Sequence, residues 1–71
     1  MIDPDTDWHV VEPGRFELPT TKFAIQWARD RTFLFILEWD GGSRGEYGSL
    51  DLAKDCARKR MRELLAMGIE P

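Results

Sequence analysis

Four groups of residues in this 71-residue chain could carry covalent, acid–base or phosphate chemistry, and each has an ordinary structural use as well. His9 lies between Asp7 and Glu12, and on a strand it would share a face with Asp7 through i, i+2 spacing. A carboxylate beside an imidazole can orient a general base, but no serine or cysteine stands near it in sequence to be activated. Cys56 is the only cysteine and His9 the only histidine, so neither an internal disulfide nor the ligand set of a zinc site can be assembled. Gly41, Gly42, Gly45 and Gly48 lack the Gly-Lys-Ser/Thr end of a phosphate loop and its βαβ setting, and read as turn residues. The carboxylate pairs Asp3/Asp5 and Asp51/Asp55 fall on an acidic leader and on a helix surface, where solvation accounts for them. We therefore expect no catalytic residue, no metal and no cofactor, and a protein that works by binding.

The elements that would position a binding surface follow from the apolar pattern. Residues 1–7 are polar and aperiodic and read as a flexible arm. Trp8–Glu12 can form a short edge strand, closed by the turn signal Pro13-Gly14. Arg15–Thr21 contains Pro19 and reads as an extended connector. Phe23, Ile25 and Trp27 alternate with smaller or polar neighbours in the period of two of a half-buried strand. In residues 33–39 both parities are apolar, which predicts a central strand covered on both sides. Asp40–Ser43 is a turn, and Arg44–Gly48 is long enough for a returning strand. Ser49 is placed as an N-cap and Asp51 sits at the positive end of the following helix. The helix stripe is Leu50, Ala53, Ala57, Met61, Leu64 and Leu65, flanked by Cys56, with Gly68 offering a left-handed end and Ile69 folding back on Leu64. The expected fold is α+β: one domain over 1–71, with antiparallel strands over 8–48 and a helix over 49–68. Three strands are predicted, or four with the Trp8–Glu12 segment, and the helix covers one sheet face.

Composition narrows the partner. A chain 42% hydrophobic and 32% charged is a folding sequence rather than a disordered one. No apolar run nears the ~20 residues that span a bilayer, and the first residues are acidic where a signal peptide would be basic; we expect a cytoplasmic protein with no membrane partner. The net charge of −3 argues against a dedicated nucleic-acid binder, yet it is uneven. Residues 1–20 hold five acids against Arg15, whereas five bases face three acids over residues 50–65. A helix can cover only one sheet face, so surplus aromatic surface must be covered by the N-terminal segment or by another molecule. Trp27, Trp39 and the hairpin-tip charges Arg29, Asp30 and Arg31 are the candidate protein-binding residues, since Trp and Arg commonly anchor interfaces. Lys54, Arg58, Lys59 and Arg62 form a basic helix stripe that would serve nucleic acid, or be a solvated surface with pairs such as Asp55–Lys59 and Arg58–Glu63.

The order of elements from Phe23 to Leu65, strand, hairpin, strand, Gly-rich turn, short strand and amphipathic helix, resembles that of small phage and mobile-element proteins, among them several anti-CRISPR proteins. That resemblance implies steric inhibition of a host or defence protein, with a bacterial defence complex as the partner. The segment Tyr47-Gly48-Ser49-Leu50, continuing to Ala53-Lys54, is similar to the third strand and last helix of double-stranded-RNA-binding domains and to the sheet-plus-helix of integrase arm-binding domains. Here the first helix of the RNA-binding fold is missing, and Leu50-Asp51-Leu52 stands where that family has its paired lysines. Residues 14–20 resemble the translated end of a tRNA gene, a common insertion point of mobile elements. A homodimer joined through the uncovered sheet face is a third expectation, compatible with either function.

Overall fold

A computed structural model describes residues 8–28 and 34–71. Among the described residues, five strands form one antiparallel meander in chain order: β1 (His9–Glu12), β2 (Arg15–Glu17), β3 (Phe23–Trp27), β4 (Phe35–Trp39) and β5 (Gly42–Tyr47). Helix α1 (Leu50–Ala66) lies across β3, β4 and β5. The α+β class, the antiparallel sheet and the single C-terminal helix agree with the sequence reading. The strand number does not: five replace the predicted three or four, because Arg15–Glu17 pairs as β2 between β1 and β3. Pro19 excludes only its own neighbourhood from a ladder, and β2 ends two residues before it.

Two-residue connections set the register. Pro13-Gly14 joins β1 to β2 with Gly14 at φ +82°, and Asp40-Gly41 joins β4 to β5 with φ values of +54° and +80°. Positive φ at both central residues is the turn whose twist matches a hairpin, so the predicted four-residue turn over 40–43 is shorter than expected and β5 begins at Gly42. Each edge strand carries a bulge. Leu37 pairs with Gly45 but Glu38 with Ser43, leaving Arg44 as the extra residue, and Val11 is extra between the Val10–Phe16 and Glu12–Arg15 pairs.

The core lies between sheet and helix. Phe23, Ile25 and Leu37 from the sheet and Leu18 after β2 pack with Ala53, Ala57 and Leu64 of α1, all buried. The alanines let the helix backbone approach the large sheet side chains closely. Leu50, Cys56 and Met61 of the predicted stripe pack at its margin, but Leu65 is 60% exposed. The reason is angular: Leu65 lies 100° around the helix from Leu64, which already occupies the centre of the buried face. Ser49 caps the helix, its Oγ accepting from the Leu52 N–H at 3.1 Å.

The β4 expectation is also corrected. Among the described residues it is covered on one side only; Ile36 is half-buried on the face away from the helix, amid the polar side chains described next. The residues of the arm 1–7 and of the hairpin tip lie outside the described residues.

Candidate functional site

Cross-strand pairing assigns every strand residue to a face. Phe16, Ile25 and Leu37 form one row toward α1, with Phe23–Trp39 and Trp27–Phe35–Tyr47 on either side. The opposite face consists of two adjacent rows, His9–Glu17–Ala24–Glu38–Ser43 and Glu12–Arg15–Gln26–Ile36–Glu46. Among the described residues, no helix covers this second face.

Arg15 organises it. From the short β2 strand its Nε donates to Glu17 Oε2 at 3.2 Å, while Nη1 donates to Gln26 Oε1 at 3.2 Å and lies 3.4 Å from Glu38 Oε1. One planar guanidinium thus ties β2, β3 and β4 together across the sheet, a use that its fixed fork of donors permits and a lysine would not. Partial burial works against the guanidinium's charge, but the Glu17 and Glu38 carboxylates outweigh it and hold the Arg15 pKa above its ordinary value. Ala24 lies beneath these side chains and is only 5% exposed despite belonging to the open face. Its small side chain leaves a recess of about 470 Å³ bounded by Arg15, Glu17, Thr21 and Lys22 on one side and Asp40 and Gly41 on the other. Among the described residues, the carboxylates of Glu12, Glu17, Glu38 and Glu46 share this face with the Arg15 guanidinium. This described face is polar and carries more carboxylates than cations.

A second, smaller depression of about 230 Å³ lies between α1 and β5, lined by Leu37, Tyr47, Cys56, Lys59, Arg60 and Glu63. Tyr47 lies over Gly45, where any added Cβ would come within 2.5 Å of the phenol oxygen. Glycine there lets the ring reach the helix. Hydrogen bonding with Cys56, then burial, raises the Tyr47 pKa, with Arg60 opposing. The arrangement accounts for Cys56 as a packing residue.

The predicted binding residues do not form one cluster. Trp27 and Trp39 share the helix-side face but stand at opposite ends of it, opposite Phe35 and Phe23 respectively. Trp27 is 39% exposed and its backbone N–H donates to the Gly14 carbonyl at 2.7 Å. Trp39 packs against the core at a ring-centroid distance of 6.3 Å from Phe23, with Lys22 Nζ and the Arg44 guanidinium 5.6 and 5.4 Å from its ring. Arg29, Asp30 and Arg31 lie outside the described residues. Of the basic stripe, Lys54, Arg58 and Arg62 follow i, i+4 spacing along one flank, while Lys59 lines the Tyr47 depression on the other. Arg58 is ion-paired with Asp55, and Arg60 lies 4.0 Å from Glu63, in place of the anticipated Asp55–Lys59 and Arg58–Glu63 pairs.

The organising residues Arg15, Glu17, Gln26 and Glu38 escaped the sequence reading. The available signal was the polar–apolar–polar alternation Arg15-Phe16-Glu17, the same period of two that marked β3. Among the described residues no group of three His, Cys, Asp or Glu side chains could hold a metal ion, and no helix is long and apolar enough to cross a membrane. No family model matches the sequence, and neither a curated protein nor a solved structure matches it significantly.

Proposed function

We propose that this chain is a small non-enzymatic binding protein that inhibits a host or defence protein by steric occlusion, docking through the open face of its sheet. The observation that supports this reading is the Arg15–Glu17–Gln26–Glu38 network, which holds polar side chains from three strands in one arrangement before any partner arrives. Preorganisation reduces the ordering cost of association, and a fixed field of carboxylates steers toward a basic protein surface. Occlusion requires such a surface and no reacting group. The same carboxylates disfavour two alternatives at this face. They repel nucleic-acid phosphates, and they repel a second copy of themselves in a face-to-face homodimer.

Nucleic-acid binding by Lys54, Arg58, Lys59 and Arg62 is the rival reading, and charge variants separate the two. Tagged full-length protein, with Glu17→Lys and Lys59→Glu variants checked for folding by circular dichroism, is used to capture partners from bacterial lysate with and without nuclease. Docking through the sheet predicts a stoichiometric protein that survives nuclease, is lost with Glu17→Lys and is retained with Lys59→Glu. Nuclease-sensitive capture, weakened by Lys59→Glu and by added salt, would transfer the function to the helix.

A further inference from the structure

The chain returns from helix to sheet at one corner, next to the recess of the open face. Helix α1 ends in a Schellman turn: Gly68 takes φ +75°, its N–H donates to the Leu65 carbonyl at 3.1 Å, and the Ile69 N–H donates to the Leu64 carbonyl at 2.8 Å. The turn directs residues 69–71 toward the sheet. There the Pro71 carbonyl oxygen accepts two hydrogen bonds, from the Lys22 N–H at 2.9 Å and from the Trp39 indole Nε1–H at 2.7 Å. Lys22 precedes β3 and Trp39 ends β4, so one oxygen bridges the ends of two strands. Ile69 and Glu70 are exposed, whereas Pro71 is half-buried. The Lys22 ammonium and the Arg44 guanidinium lie beside the Trp39 ring.

These contacts continue into the recess wall. The Lys22 carbonyl, on the residue that holds Pro71, accepts from the Asp40 N–H at 3.1 Å, and Lys22, Asp40 and Gly41 all line the recess. We infer that residues 68–71 are a latch: the Pro71 oxygen, held by Lys22 and Trp39, fixes the Lys22–Asp40 wall, and its release loosens that wall while the centre of the sheet stays closed. Two hydrogen bonds are worth far less than unfolding the whole domain, so the latch opens as a local event. Its effect on recognition rests on the docking role proposed above; the latch itself does not.

Gly68→Ala in the full chain tests it cleanly. An added Cβ at Gly68 meets nothing within 4 Å, so the substitution acts only through the cost of a left-handed alanine. Hydrogen exchange followed by NMR should show the Lys22 and Asp40 amides and the Trp39 indole N–H exchanging roughly tenfold faster, the factor expected for that cost. The Ile25 and Leu37 amides should stay within about twofold of the parent, as a local opening requires. Trp39→Phe, which keeps an aromatic ring and removes one donor, should likewise accelerate the Lys22 amide. Unchanged exchange at Lys22 and at the Trp39 indole in Gly68→Ala would overturn the latch, and so would equal acceleration at Ile25 and Leu37. If exchange responds as expected but Gly68→Ala binds the captured partner as the parent does, the latch stands and its influence on docking falls.

Discussion

The two faces of the same sheet are built on opposite principles. Toward the helix, Phe23, Ile25 and Leu37 are buried to within a few per cent and meet alanines, so this face supplies cohesion. Away from it, Arg15, Glu17, Gln26 and Glu38 remain partly exposed and are joined by hydrogen bonds that apolar packing does not impose. Consecutive residues of one strand serve both: Phe23 and Ile25 close the core while Ala24 and Gln26 floor the open face. A small fold thus separates stability from recognition by alternation alone.

The sharpest way to break this comparison is to damage each face separately. Ile25→Ala removes a fully buried side chain at the centre of the core and should cost about 2–5 kcal/mol, read as a fall in the urea midpoint. Arg15→Ala should cost less, about 1–2 kcal/mol, because the carboxylates it leaves behind are partly exposed and water replaces some of the lost hydrogen bonds. If Arg15→Ala destabilised as much as Ile25→Ala, the open face would be structural rather than a surface for recognition.

Tyr47→Phe sharpens the account of the helix flank. At neutral pH it should cost about 0.5–1 kcal/mol, the worth of one modest hydrogen bond. Its pH dependence is more diagnostic. The folded state raises the Tyr47 pKa, chiefly through the Cys56 hydrogen bond, and so holds the phenolic proton more tightly than the unfolded chain. That contribution is fully present below the unfolded value of about 10 and is lost as pH rises through the higher folded value. Stability of the parent should therefore decline above about pH 10, and the Phe variant should lack this part of the decline, in urea titrations at stepped pH. The smallest effect belongs to Glu17→Gln: stability should change by less than about 0.5 kcal/mol, as for an exposed ion pair, while partner affinity falls.

Much of the covered face was legible in the sequence. The alternation of Phe23, Ile25 and Trp27, the Pro13-Gly14 turn, the Ser49 cap and the Gly68 ending are local signals, and each corresponds to a feature of the fold. The open face was not legible, for physical reasons. Arg15 meets Gln26 and Glu38 only through pairing of three strands, and strand register is not encoded in any one of them. The three-residue β2 is too short for periodicity to stand out, and the nearby Pro19 argues against a strand. The Arg44 bulge, which brings a cation beside the Trp39 ring, depends on hairpin geometry; Trp39 accordingly read as a free anchor although its indole N–H is engaged by Pro71.

The central claim is that the open sheet face is the recognition surface, and NMR mapping tests it most directly. The isotopically labelled full chain is titrated with the nuclease-resistant partner recovered from lysate, and amide shifts are followed at every strand and along the helix. Our account predicts the largest perturbations at Glu17, Ala24, Gln26 and Glu38, with the exposed flank of α1 unmoved. Perturbations confined to Lys54, Arg58, Lys59 and Arg62 would contradict it and place the function on the helix.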